Sequence, residues 1–102
     1  MNGRAEILLV DNCRQAGSLS RYEFVHPAQR ALERAGASCR TCHYTLLDRP
    51  TLEGCDKVLL CGTALKDKEC LNHLDRYSWL REWTGPVLGI CTGMQIIAAA
   101  FW

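Results

Sequence analysis

No apolar run in the chain approaches the ~20 residues that a membrane span requires. Met1-Asn2-Gly3-Arg4 leads into a strand-like run where a signal peptide would need a longer apolar core. An excess of one charge is also missing. Twelve Lys and Arg against eleven Asp and Glu leave a net charge of +1, so neither nucleic acid nor an anionic membrane is an expected partner. Internal repeats, low-complexity tracts and linkers are absent, and proline is scarce. With 48% hydrophobic and 23% charged residues, disorder, collagen-like repeats and multidomain organisation are disfavoured for a chain of 102 residues. Cysteine is plentiful by contrast, at seven residues. The number is odd and no export signal accompanies it, so a disulfide framework is not expected and a reducing, cytoplasmic setting is.

Short apolar runs alternate with amphipathic stretches. Ala5-Glu6-Ile7-Leu8-Leu9-Val10, ended by Asp11-Asn12, reads as a buried strand. A polar loop follows from Cys13 to Ser20, and Ser20-Arg21-Tyr22-Glu23 has the spacing of a capping box. Val25, Ala28, Leu32 and Ala35 then predict a helix over about Tyr22 to Ala35, closed by Gly36, with Pro27 either starting it or kinking an earlier turn. Ser38 to Leu46 reads as a second strand ended at Asp48-Arg49-Pro50, and Lys57 to Cys61 as a third, closed by Gly62-Thr63. Between Asp67 and Trp83 the apolar positions fall three apart, which fits one irregular helix or two short ones. Lys66-Asp67-Lys68-Glu69 reads as its solvated start. Pro86 to Cys91 reads as a fourth strand and Gly93 to Trp102 as a helix, with Met94, Ile96, Ile97 and Phe101 on the face packed against the sheet. This order implies an α/β fold with a parallel sheet, in which binding groups collect at the carboxyl ends of the strands. Asp11, Gly62 and Cys91 all fall at such ends.

Gly89-Ile90-Cys91-Thr92-Gly93 closes the fourth strand and opens the last helix with the Gly-x-nucleophile-x-Gly spacing of a nucleophile elbow. A nucleophile on a tight turn is exposed, and small residues two places either side let strand and helix pack closely. The helix amino terminus favours a thiolate, and the Thr92 amide points where an oxyanion would form. The spacing alone also fits an inert Cys buried in a Gly-bounded turn.

Pro86-Val87-Leu88-Gly89-Ile90-Cys91-Thr92-Gly93-Met94-Gln95 closely resembles the nucleophile motif of class I, triad-type glutamine amidotransferases. Ile7 to Asn12 resembles the first strand of that family, and Cys55 to Thr63 the third, which leads into an oxyanion loop. The resemblance implies a flavodoxin-like three-layer α/β/α fold with a parallel sheet, of which residues 1–102 would be the amino-terminal part. It implies that Cys91 attacks the side-chain amide of L-glutamine, giving a thioester and ammonia, before water releases glutamate. The backbone amides of Gly62 and Thr92 would form the oxyanion hole, Gln95 would help hold glutamine, and Gly89 and Gly93 would be the elbow glycines. Ammonia would pass to a synthetase partner that sets the acceptor. The glutaminase portion of GMP synthetase is one relative the resemblance suggests, among sibling pathways. Neither metal nor cofactor is implied.

Two departures stand out. The family's oxyanion loop carries Gly-Gly-Pro or Gly-Pro-Gly, whereas this chain reads Gly62-Thr63-Ala64-Leu65-Lys66-Asp67. The family's His-x-Glu lies well downstream of the nucleophile, and the sequence runs only eleven residues past Cys91. His26, His43 and His73 read as surface or structural residues, so the 102 residues are expected to be inactive without the missing part of the triad. A non-catalytic binding or regulatory module and a related γ-glutamyl hydrolase are the alternatives. The apolar Ile96 to Trp102 is expected to leave an exposed patch, covered by self-association or by further chain.

Cys39-Arg40-Thr41-Cys42-His43 matches the C-x-x-C-H signature of haem attachment. In a strand, however, Cys39 and Cys42 would point to opposite faces. Structural zinc would need a second C-x-x-C pair, which the chain does not have. Cys13, Cys55, Cys61 and Cys70 read as small apolar fillers or incidental surface thiols.

Overall fold

Ile7-Leu8-Leu9-Val10 is apolar at every position, so it is stable only where both of its faces are covered. In a computed structural model describing residues 5–101, it lies within β1 (Glu6–Asp11), an interior strand of the sheet. β2 (Ser38–His43), β3 (Lys57–Leu60) and β4 (Val87–Gly89) complete four parallel strands in the order β2-β1-β3-β4. This is the order of a flavodoxin-like sheet. Val10 pairs with both Cys42 and Leu60, and Leu60 pairs with Gly89. That register brings Asp11, His43, Gly62 and Cys91 to one edge.

The α-helices among the described residues are α1 (Ser20–Phe24), α2 (His26–Arg34), α3 (Arg49–Glu53) and α4 (Thr92–Phe101). Strand alternation splits the core in two. Leu9, Leu59 and Cys61 meet Val25, with Ala28 and Leu32 of α2 packed alongside. Leu8, Val10, Val58 and Leu60 meet Tyr44, Tyr77, Leu80 and Ile96 of α4 on the other face. Cys39 packs with the first group and Cys42 with the second, so the C-x-x-C-H cysteines do point to opposite faces. Among the described residues no helix is long and apolar enough to cross a membrane.

Several elements differ from the sequence expectation. The expected helix from Tyr22 to Ala35 is two helices, broken at Val25 (φ −108°), whose side chain is fully buried. Pro27 sits in the first turn of α2, where its missing N–H leaves no bond unmade. The capping box does not form. Leu19 occupies the cap position, no side chain caps α1, and Ser20 is already helical.

The second strand ends at His43 and not Leu46, because the His43 ring accepts from the Thr45 N–H and turns Tyr44–Leu46 into a 3₁₀ segment. Asp48 does not simply end a strand. Its carboxylate accepts from the Thr51 N–H (3.0 Å) and caps α3, with Pro50 in the first turn. Asp67–Trp83 contains two 3₁₀ segments, Glu69–Asn72 and Leu74–Arg81, which bury Cys70, Tyr77 and Leu80. Asp67 is no solvated helix start, since its Oδ2 accepts from the Arg14 N–H at 2.8 Å and its Oδ1 is buried.

The last helix begins at Thr92. Ile96 is fully buried and Ile97 and Ala100 half-buried, so the expected exposed patch shrinks to a narrower stripe. Met94 and Phe101, expected against the sheet, are instead 63% and 59% exposed. Met1 to Arg4 and Trp102 lie outside the described residues.

Candidate active site

The buried polar side chains among the described residues are Asp11, Asn12, His43, Thr63 and Thr92. Every one lies at or just beyond the carboxyl end of a strand. Burying polar atoms is unfavourable unless they are bonded, and here the bonds tie loop to loop. Asp11 Oδ1 accepts from the Cys13 N–H at 2.9 Å. Asn12 donates through Nδ2 to the Cys61 carbonyl at 2.8 Å and accepts from the Tyr77 hydroxyl, so it bridges the ends of β1 and β3. His43 donates through Nε2 to the Cys13 carbonyl at 2.6 Å, while Nδ1 accepts from the Thr45 hydroxyl at 2.7 Å. A carbonyl can only accept, which fixes the proton on Nε2.

Between β4 and α4 the chain turns at Cys91, whose φ is +52°. It is the one positive-φ residue other than glycine among the described residues. The turn is held by the Ile90 N–H donating to the Leu60 carbonyl (3.0 Å) and the Gly93 N–H to the Ile90 carbonyl (2.9 Å). Its tightness depends on both glycines. A Cβ on Gly89 would stand 2.5–2.6 Å from backbone atoms of Gly93 and Met94, and one on Gly93 would collide with the Leu60 carbonyl oxygen. The Cys91 side chain is exposed, and its carbonyl accepts from the Met94 N–H (2.9 Å) at the start of α4.

Gly62 lies directly beside the turn, where an added Cβ would be 3.4 Å from Cys91 Cβ. Among the described residues, neither the Gly62 nor the Thr92 N–H donates to a backbone carbonyl. Thr92 itself is buried. Its hydroxyl meets that of Thr63 at 2.7 Å, and Thr63 donates to the Asp67 carbonyl at 2.6 Å. Gln95 is exposed, one turn into α4, with its N–H directed to the Cys91 carbonyl at 3.3 Å. Exposed Cys91, the two amide-bearing residues and Gln95 thus share one rim of the sheet.

Of the other six cysteines, Cys13, Cys55, Cys61 and Cys70 are buried and Cys39 and Cys42 half-buried. Burial pushes the Cys61 thiol up to about 12 and the Cys70 thiol to about 11, and carries Cys13 well above the ordinary thiol range. Cys39, Cys42 and Cys55 are raised for the same reason. Among the described residues no histidine hydrogen-bonds to the Cys91 sulfur. His43 is engaged through both ring nitrogens, His26 lies against the Tyr22 ring, and His73 pairs with Glu69 at 3.3 Å. The same residues contain no cluster of three or more metal-ligating side chains.

Thr63, Asp67, Asn12 and Tyr77 belong to no sequence motif that assigns them a bonding role at this site. The available signal was positional, because Asn12 and Thr63 follow apolar strands at the end where ligands bind. Comparison with known families matches residues 20–102 to glutamine amidotransferase class-I. No curated protein and no solved structure matches the chain.

Proposed function

The chain belongs to the class-I glutamine amidotransferase family, and from that premise we propose that Cys91 is the nucleophile that opens the side-chain amide of L-glutamine. The observation that carries this reading is an exposed Cys at φ +52° beside Gly62, with the Gly62 and Thr92 N–H groups donating to no backbone carbonyl. The Cys91 thiolate attacks the amide carbon. A C–S bond forms, and the carbonyl oxygen becomes an oxyanion facing those two amides. Collapse breaks the C–N bond and ammonia leaves with a proton. Water then cleaves the thioester, releasing glutamate and restoring the thiol. Gln95, on the rim of the same site, binds the amino-acid end of the substrate.

The thiol proton must pass to the leaving ammonia through a group that acts first as base and then as acid, and no described histidine bonds to Cys91. Both ammonia release and thioester hydrolysis therefore depend on a group from outside residues 5–101. In the complete system ammonia passes to a synthetase partner, whose own site sets the acceptor.

Protection tests the binding half of this reading. Glutamine is expected to slow iodoacetamide alkylation of Cys91, while asparagine, one methylene shorter, leaves it unchanged. Equal alkylation rates with and without glutamine would overturn the assignment.

A further inference from the structure

Two separate stretches of chain supply the amides of the candidate oxyanion hole. Gly62 belongs to the loop after β3 and Thr92 to the turn after β4. An oxyanion hole works only if its donors are fixed before charge develops, so something must hold these stretches together.

The loop Gly62 to Asp67 carries Ala64, where the resembled family's loop has a second glycine or a proline, so its backbone is not fixed in the family's way. What joins it to the elbow is a pair of side chains. Thr63 and Thr92 are each only 7% exposed, and their hydroxyl oxygens are 2.7 Å apart. The direction of this bond is determined. Thr63 Oγ1 donates its one proton to the Asp67 carbonyl at 2.6 Å, so Thr92 must donate to Thr63. Asp67 is tied in turn to the loop after β1, through the Arg14 N–H donating to Oδ2 at 2.8 Å. The result is a continuous line from Thr92 through Thr63 and Asp67 to Arg14, joining the loops that follow β4, β3 and β1.

We propose that Thr63 and Thr92 are positioning residues for the oxyanion hole, their hydroxyl-to-hydroxyl bond locking the Gly62 amide in register with the Thr92 amide beside Cys91. Neither hydroxyl touches substrate. Both act by fixing backbone donors, and the inference rests on the glutamine reading of the site given above.

The test compares two alkylating agents on the same sulfur. Iodoacetamide forms a C–S bond at Cys91 and loses iodide, and its rate reads the exposure and ionisation of the thiol. A chloroketone analogue of glutamine forms a C–S bond at its chloromethyl carbon and loses chloride, with its ketone oxygen seated where the oxyanion would be. The ratio of the two rates therefore reads the hole. Thr63→Val and Thr92→Val are expected to lower that ratio by about tenfold or more, as small misplacements of a reacting group do. Iodoacetamide rates should change far less than chloroketone rates, and Thr63→Ser and Thr92→Ser should restore the ratio. A chloroketone preference in the unaltered protein that survives both valine variants overturns this proposal while leaving the glutamine reading intact. Absence of any preference in the unaltered protein overturns the glutamine reading, and this inference with it.

Discussion

Gly93 packs its α-carbon directly against the carbonyl of Leu60, the last residue of β3. This contact lets α4 start at the sheet edge and puts the preceding residues in a turn too tight for ordinary backbone. Gly93→Ala would set a methyl group on that carbonyl and force strand and helix apart. We expect a loss of about 2–3 kcal/mol in urea unfolding, together with slower alkylation of Cys91. Gly89→Ala, aimed at the backbone of Gly93, should behave alike.

Cys91 holds a φ of +52° that a side chain disfavours and glycine accepts readily. Such strain, about 1–2 kcal/mol, persists only where the surroundings enforce it. Cys91→Gly is therefore expected to raise the melting temperature while abolishing labelling at that position. Cys91→Ala should lose the labelling without the stabilisation. Equal melting temperatures for the two variants would show that the turn stores no strain.

Tyr77 and Asn12 are fully buried partners 65 residues apart in sequence. Tyr77→Phe removes the hydroxyl and leaves Asn12 Oδ1 without its donor, a loss of about 1–3 kcal/mol. Chemical denaturation of the single variant measures it directly. Asn12 still donates to the Cys61 carbonyl, so β1 and β3 should stay joined and the far-ultraviolet spectrum unchanged.

Alkaline pH should destabilise the fold through its buried thiols. Cys61 and Cys70 hold their protons in the folded state up to about 12 and about 11, whereas an unfolded thiol ionises near 9. The unfolded state thus sheds protons first. Stability is complete below pH 9 and falls as pH rises from there towards the folded values, by about 1.4 kcal/mol per pH unit for each such thiol. Unfolding free energies at pH 8 and pH 10 check this, and Cys61→Ala should flatten the dependence.

The elbow was readable from sequence because its signal is local: five consecutive residues carry both the glycines and the nucleophile. β1 and β3 were readable because continuous apolar runs have one stable environment. The break at Val25 was not, since it depends on what that side chain buries against. Asp48 with Pro50 and Thr51 carries an ordinary helix-start signal, but the same residues serve equally well to end a strand. The Thr63–Thr92 and Asn12–Tyr77 pairs were invisible for a different reason. Each joins positions 29 and 65 residues apart, and no local pattern announces such a partner. The family's oxyanion loop likewise gives no hint that a side-chain bond secures it here.

Cys91 is the exposed cysteine among the seven, and on the proposed reading the one that glutamine reaches. Labelling the folded protein near pH 8 with the chloroketone analogue of glutamine, followed by peptide mass spectrometry, tests it most directly. Modification is expected at Cys91 and suppressed by excess glutamine, with the other six thiols labelled only once the chain is unfolded. Labelling spread over several cysteines, or labelling of Cys91 that glutamine does not suppress, would contradict it.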